Sequence, residues 1–243
     1  MLFAPKSSPN KEGRRVLSDC LKLVFIFLLG PVTLLAQSQR TGTVTGTVTV
    51  SRSDGLFEEM MEARALNRYG DHVHSTTEPK PYGLSEKAVV YIISPVKGAL
   101  TQPARIPLRL DQQDLMFRPL VLPVVAGSTV DFQNNDDVFH NVFSYSAPKE
   151  FDLGRYPIGK SKKVTFERPG VVNVYCDLHA YMYATILVLE SPFFTTPDND
   201  GSYVIQKVPE GTHELGFWYG KKLVGSKTVT VKAGETVVVN LEY

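Results

Sequence analysis

Apolar and polar residues alternate along much of this chain with a period of two, the spacing that sets every second side chain on one face of a strand. TGTVTGTVTV, Thr41–Val50, places valines against threonines and predicts a strand. ARIPLRL from Ala104, FRPLVLPV from Phe117, GSTVDFQ from Gly127 and VVNVYC up to Cys176 predict others. AVVYIISP, from Ala88, is instead an unbroken apolar run of strand length. One segment departs from the pattern: Leu56, Phe57, Met60, Met61 and Leu66 recur at near-helical spacing, which predicts a short amphipathic helix. Beyond Glu190, turn signals at Asp200-Gly201, Glu210-Gly211 and Ala233-Gly234 separate further strands rich in Val and Tyr. The expected fold class is all-β.

Composition narrows the function more than the fold. The 243 residues are 43% hydrophobic, enough for one or two cores, and the net charge of +1 gives no basic surplus for nucleic acid. Residues 1–38 combine Lys11, Arg14, Arg15 and Lys22 with an apolar run from Leu23 to Ala36 and a small-residue pattern at Ala36-Gln37-Ser38. That order predicts a signal peptide cleaved near Ser38 and an exported, periplasmic protein. The run is shorter than the roughly 20 apolar residues of a spanning helix and is interrupted by Gly30-Pro31. No stable membrane span is expected after cleavage; an uncleaved signal would act as an N-terminal anchor.

Cysteine usage adds an independent argument. Cys20 precedes the apolar run, the wrong side for a lipoprotein cleavage site, so the mature chain would carry Cys176 alone. An unpaired thiol in an oxidising compartment is unusual unless something holds the sulfur, and a metal does so. VYCDLHAYM supplies Cys176, His179 and Met182 three residues apart, and DDVFHNVFS supplies His140 thirty-six residues upstream of the cysteine. Singly, a buried cysteine or methionine is ordinary packing. Together, one thiolate, two imidazoles and a thioether suit copper cycling between Cu(I) and Cu(II), with zinc the chemical competitor for a Cys-His-His set. Ligands confined to one loop cannot encircle an ion, and His140, at the end of the strand and Asn/Asp turn GSTVDFQNNDD, is placed to complete it.

FRPLVLPVVAGSTVDFQNNDDVFHNVFS followed by FDLGRYPIGKSKKVTFERPGVVNVYCDLHAYMYATILVLE resembles a cupredoxin, the blue-copper Greek-key sandwich. The Cys-x2-His-x2-Met spacing is similar to that of amicyanin, and the whole chain resembles exported cupredoxin-containing proteins often labelled methylamine-utilisation proteins. The resemblance implies one mononuclear type 1 copper site, with His140, Cys176 and His179 in a trigonal plane and Met182 as the long axial ligand. It also implies that the Asn141 backbone amide reaches the cysteine sulfur while its side chain ties the ligand loops together. Two positions depart from the pattern. Asp177 stands where Ser or Thr is usual, and Ala180 where amicyanins carry proline, so the potential is expected to differ. Phe139, Phe143, Tyr175, Tyr181 and Tyr183 surround the ligands in sequence; Tyr175 and Phe143 are expected in the core and Tyr181 at the surface.

DNDGSYVIQKVPEGTHEL resembles the carboxypeptidase regulatory-like, transthyretin-like sandwich. That fold opens with strands like Thr41–Val50 and Ala88–Ile93, so residues 39–94 and 191–243 are expected to form one small sandwich, with the cupredoxin at 95–190 inserted between its halves. Trp218 is assigned to the core of this second sandwich and His213 to a strand or surface position. His72 and His74 read as a solvated loop. Four protein ligands leave no open position for substrate, and five histidines in all cannot furnish the extra clusters of a multicopper enzyme. The expected function is a one-electron carrier exchanging with a redox protein. Copper delivery, or an envelope interaction module with incidental copper, are the competing readings.

Overall fold

The computed structural model describes residues 40–51, 55–66, 79–93, 95–96 and 102–243. The predicted signal segment and the His72/His74 loop lie outside the described residues. The N-terminal part forms β1 (Thr41–Thr49), helix α1 (Leu56–Leu66), a single turn α2 (Leu84–Lys87) and β2 (Ala88–Ile92). The middle part forms β3 (Leu108–Gln113), β4 (Met116–Arg118), β5 (Val121–Val125), β6 (Ser128–Asn134), β7 (Phe143–Ser146), β8 (Lys149–Asp152), β9 (Ser161–Phe166), β10 (Gly170–Tyr175) and β11 (Tyr183–Leu189). The C-terminal part adds β12 (Phe194–Thr195), β13 (Ser202–Pro209), β14 (Gly211–Tyr219), β15 (Lys222–Val231), β16 (Thr236–Val238) and β17 (Leu241–Glu242). The fold is all-β.

The middle strands form two sheets, β5-β11-β10-β7-β8 and β4-β3-β6-β9. Alternation explains the second: in β6 the sequence STVDFQN sends Val130 and Phe132 inward and Thr129, Asp131 and Gln133 outward. Leu110 pairs in register with Phe132 in the parallel β3–β6 ladder, and Val130 with Val164 across β6–β9. Phe117, Phe132, Phe166, Val172, Val174 and Ile186 fill the space between the sheets. Each such side chain withdrawn from water contributes about 1.5–3 kcal/mol. FRPLVLPV is not one strand: it divides at Pro119 into β4 and β5, which belong to different sheets. A proline has no N–H to continue a ladder, and here it marks the crossing from one layer to the other. The strand within ARIPLRL begins only at Leu108.

The first and last parts of the chain pair with each other. β1 runs antiparallel to β13, with Val44 opposite Ile205, and parallel to β16 and β17, with Val48 opposite Leu241. β2 lies between β12 and β14, with Val90 opposite Phe217. Between these two sheets lies a second core containing Val44, Val90, Ile205, Leu215, Phe217 and Val231.

A third apolar cluster joins the two sandwiches. Leu56 and Met60 of α1, Val89 and Tyr91 of β2, and Leu120, Val121 and Leu187 of the copper-side sheet pack together there. β2 and β11 are therefore covered on both faces, and every residue of AVVYI and YATILVL is buried. This explains why β2 reads as an unbroken apolar run while β6 alternates. Trp218 belongs to this joining cluster and not to the core of the second sandwich; its indole N–H donates to the Gly220 carbonyl at 2.8 Å. Tyr82 donates its hydroxyl to the Phe117 carbonyl at 2.9 Å, and Arg118 pairs with Glu86 at 2.8 Å, tying α2 to β4. Among the described residues no helix is long and apolar enough to cross a membrane.

Candidate metal centre

At one end of the middle sandwich the chain leaves β10 at Tyr175 and re-enters β11 at Tyr183, and the short loop between holds Cys176, His179 and Met182. The two strands pair up to that point, Tyr175 opposite Tyr183, so both ends of the loop are clamped. A backbone hydrogen bond from Met182 N–H to the His179 carbonyl, 2.8 Å, folds the loop back on itself. His140 comes from the segment after β6 and is fixed by two backbone hydrogen bonds with Tyr156, at 3.2 and 2.8 Å.

These elements bring three donor atoms together. Cys176 Sγ lies 3.8 Å from His140 Nδ1 and 3.7 Å from His179 Nδ1, and the two Nδ1 atoms are 3.0 Å apart. A triangle with those sides has a point about 2.05 Å from all three corners, within the roughly 2.0–2.3 Å span of metal–nitrogen and metal–sulfur bonds. Cys176 and His140 are buried, whereas His179 is half-buried. Met182 is fully buried in the same apolar cluster as Cys176.

The surrounding electrostatics favour a thiolate. Burial opposes the charge, but the two imidazole rings that face the sulfur and the Asn141 backbone N–H together bring the Cys176 thiol down to about 6. His140 moves the other way: burial disfavours its cation, yet Asp136 and Cys176 together hold its pKa above the ordinary value. The Asn141 side chain accepts the Asp177 backbone N–H at 2.7 Å, joining the two ligand segments as the resemblance implied. Asp177, the departure beside the cysteine, is paired with Arg155 at 2.9 Å. Tyr181 is not at the surface. It is buried in the core cluster, its ring 6.0 Å from that of His179, and burial raises its hydroxyl pKa to about 12. Phe143 and Tyr175 are half-buried and stack with each other at 5.8 Å, outside the main core.

Two residues that sequence reasoning passed over belong to the site. Asp136 lies 2.8 Å from His140 Nε2, and Tyr156 carries the backbone bridge to His140 while its own hydroxyl receives the Gln112 amide at 2.6 Å. The i, i+4 spacing in DDVFH was the available signal for the first. His213 is buried on β14 with Nε2 2.7 Å from the Pro209 carbonyl, a structural hydrogen bond.

One soft thiolate with two imidazoles is a donor set that copper satisfies in both oxidation states. Residues 104–189 match the family described as copper binding proteins, plastocyanin/azurin family. The middle sandwich is a cupredoxin domain, and its His-Cys-His group fits a mononuclear copper site. Among solved structures, a copper-containing nitrite reductase from Thermus scotoductus SA-01 is 28% identical over 40% of this chain and 27% of its own, with a TM-score of 0.34. The chain thus spans about a quarter of that enzyme's length. A purple cupredoxin from Nitrosopumilus maritimus is 24% identical over 34% of this chain and 99% of its own, TM-score 0.31. A reduced amicyanin variant is 19% identical over 41% and 98%, TM-score 0.33.

Proposed function

We propose that the protein is an exported one-electron carrier with a type 1 copper site, in which His140, Cys176 and His179 form the trigonal plane and Met182 is the axial ligand. The observation that carries this reading is the convergence of three donor atoms at metal-bonding distance inside a clamped, strand-framed pocket. Bound copper supplies a one-electron couple between Cu(I) and Cu(II). The chain supplies the rest. Cys176 stays a thiolate, His140 and His179 are held by buried or hydrogen-bonded neighbours, and Met182 closes the buried side. A set of four protein donors leaves no position for substrate, which favours a carrier over an enzyme. The half-buried His179 edge is the route outward. Phe139, 56% exposed beside His140, and Ile158, 49% exposed just beyond Tyr156, offer apolar surface for a redox protein partner. In the same reading, residues 39–94 and 191–243 form a carboxypeptidase regulatory-like sandwich that carries the cupredoxin as an insertion; the β1–β13 and β2–β14 ladders support this division.

Repeated reduction and reoxidation tests the carrier role: copper should remain bound through many cycles, and its release on reduction would point instead to metal delivery. Met182→Leu should keep copper and its colour but raise the potential, because the weak axial donor to Cu(II) is lost. A variant unable to hold copper would make Met182 essential to binding.

A further inference from the structure

Asp136 makes more contacts than its own loop needs. One carboxylate oxygen accepts the Asp114 backbone N–H at 2.7 Å; the other accepts the Leu115 backbone N–H at 3.0 Å and faces His140 Nε2 at 2.8 Å. Asp114 and Leu115 form the β3–β4 turn with φ of 56° and 59°, the left-handed region that residues other than glycine rarely adopt. This conformation turns two successive N–H groups toward one carboxylate. The Asp136 backbone is itself fixed, its N–H donating to the Asn134 side chain at 2.9 Å. Asn134 in turn donates to the Val138 and Tyr156 carbonyls, so the loop and the His140 bridge share one anchor. From the far side, Arg64 of α1 donates to the Asp114 carbonyl at 3.4 Å.

We infer that Asp136 is the positioning residue for the ligand His140. This rests on the copper reading above and extends it to the control of the metal's ligand field. A carboxylate only accepts, so the imidazole nitrogen facing it carries the proton; a neutral imidazole then has its lone pair on Nδ1, the atom that faces Cys176 and His179. With the carboxylate anchored by the β3–β4 turn, the ring is held in one tautomer and one orientation, and the nearby negative charge makes the imidazole a stronger donor. Asp137, the next residue, is exposed and takes no part.

The test compares Asp136→Ala, Asp136→Asn and Asp137→Asn in the full protein, reading Zn(II) affinity by competition and the copper midpoint potential. Zn(II) reports ligand positioning without any redox step. Asp136→Ala should weaken Zn(II) binding about 10- to 100-fold, the usual cost of losing an outer partner of a ligating histidine. Asp136→Asn keeps an acceptor and should restore most of that affinity. Lacking the charge, it should lower the preference for Cu(II) over Cu(I) about tenfold, which is a rise of about 59 mV. Asp137→Asn removes the neighbouring exposed carboxylate and leaves the Asp136–His140 bond in place, so both readouts should match wild type. Unchanged Zn(II) affinity in Asp136→Ala would overturn the assignment. So would an Asp137→Asn protein whose potential moves as far as that of Asp136→Asn, because the effect would then be that of any nearby charge. A wild type without a thiolate-to-copper absorption band would overturn the copper reading itself, a result distinct from an unmoved potential.

Discussion

The two sandwiches are built from the same kind of strand, yet they treat polar residues in opposite ways. Between residues 104 and 189 the interior holds Gln112, Ser128, Asn134, His140, Asn141, Ser144 and Thr185; elsewhere only Ser191 and His213 are buried polar residues among those described. Burying a polar group is unfavourable unless a partner replaces water. In the cupredoxin the partners form a network in which Asn134 holds Val138 and Tyr156, Gln112 meets the Tyr156 hydroxyl, and Asn141 meets Asp177. In the flanking sandwich the core cluster is Val, Ile, Leu, Phe, Tyr and Ala. The difference shows what a metal site asks of a fold. An apolar core gives stability, but holding an imidazole and a thiolate in one fixed geometry takes a connected network of hydrogen bonds.

This contrast predicts that stability and metal chemistry can be moved separately. The largest effect should come from Phe217→Ala in the flanking core, where Phe217 is almost fully buried. Urea unfolding should show a loss of about 3–5 kcal/mol, while the copper absorption of the folded protein stays as in wild type. An altered absorption would break the separation. Asn141→Ala should act on both properties. It leaves the Asp177 N–H without its partner, costs about 1–3 kcal/mol, and should shift the copper absorption because the two ligand segments are no longer tied. The smallest effect is expected for Arg155→Ala. Its ion pair with Asp177 is largely exposed, with side chains 58% and 42% accessible, so stability should change by less than about 1 kcal/mol. The potential should nevertheless fall, since the Asp177 carboxylate beside Cys176 then lacks its cation.

The Cys176–His179 pair and the strand framework were legible in the sequence because both are local patterns. Cys176, His179 and Met182 share one loop, and β6 and β10 alternate. What escaped depends on which element covers which face. Trp218 looked like flanking core, but strands buried on both sides carry no alternation to say which way a residue points. Tyr181 looked peripheral until α1 was in place: Met60 and Ala63 of the helix line a cleft with Ala180 and Tyr181. Asp136 and Asp137 are chemically alike in sequence, and only the β3–β4 turn, brought alongside by the parallel β3–β6 ladder, selects Asp136 as the one that faces His140. The split of FRPLVLPV at Pro119 was signalled by the proline itself, but the change of sheet is a tertiary event.

The central claim is a thiolate–copper centre at Cys176, and its most direct test is the visible absorption and electron paramagnetic resonance spectrum of the metal-free protein titrated with Cu(II), beside Cys176→Ser. The expected result is an intense band with narrow copper hyperfine splitting that saturates at one copper per chain, bleaches reversibly with reductant, and is absent in Cys176→Ser. A weak, broad spectrum that is the same in both proteins would contradict it.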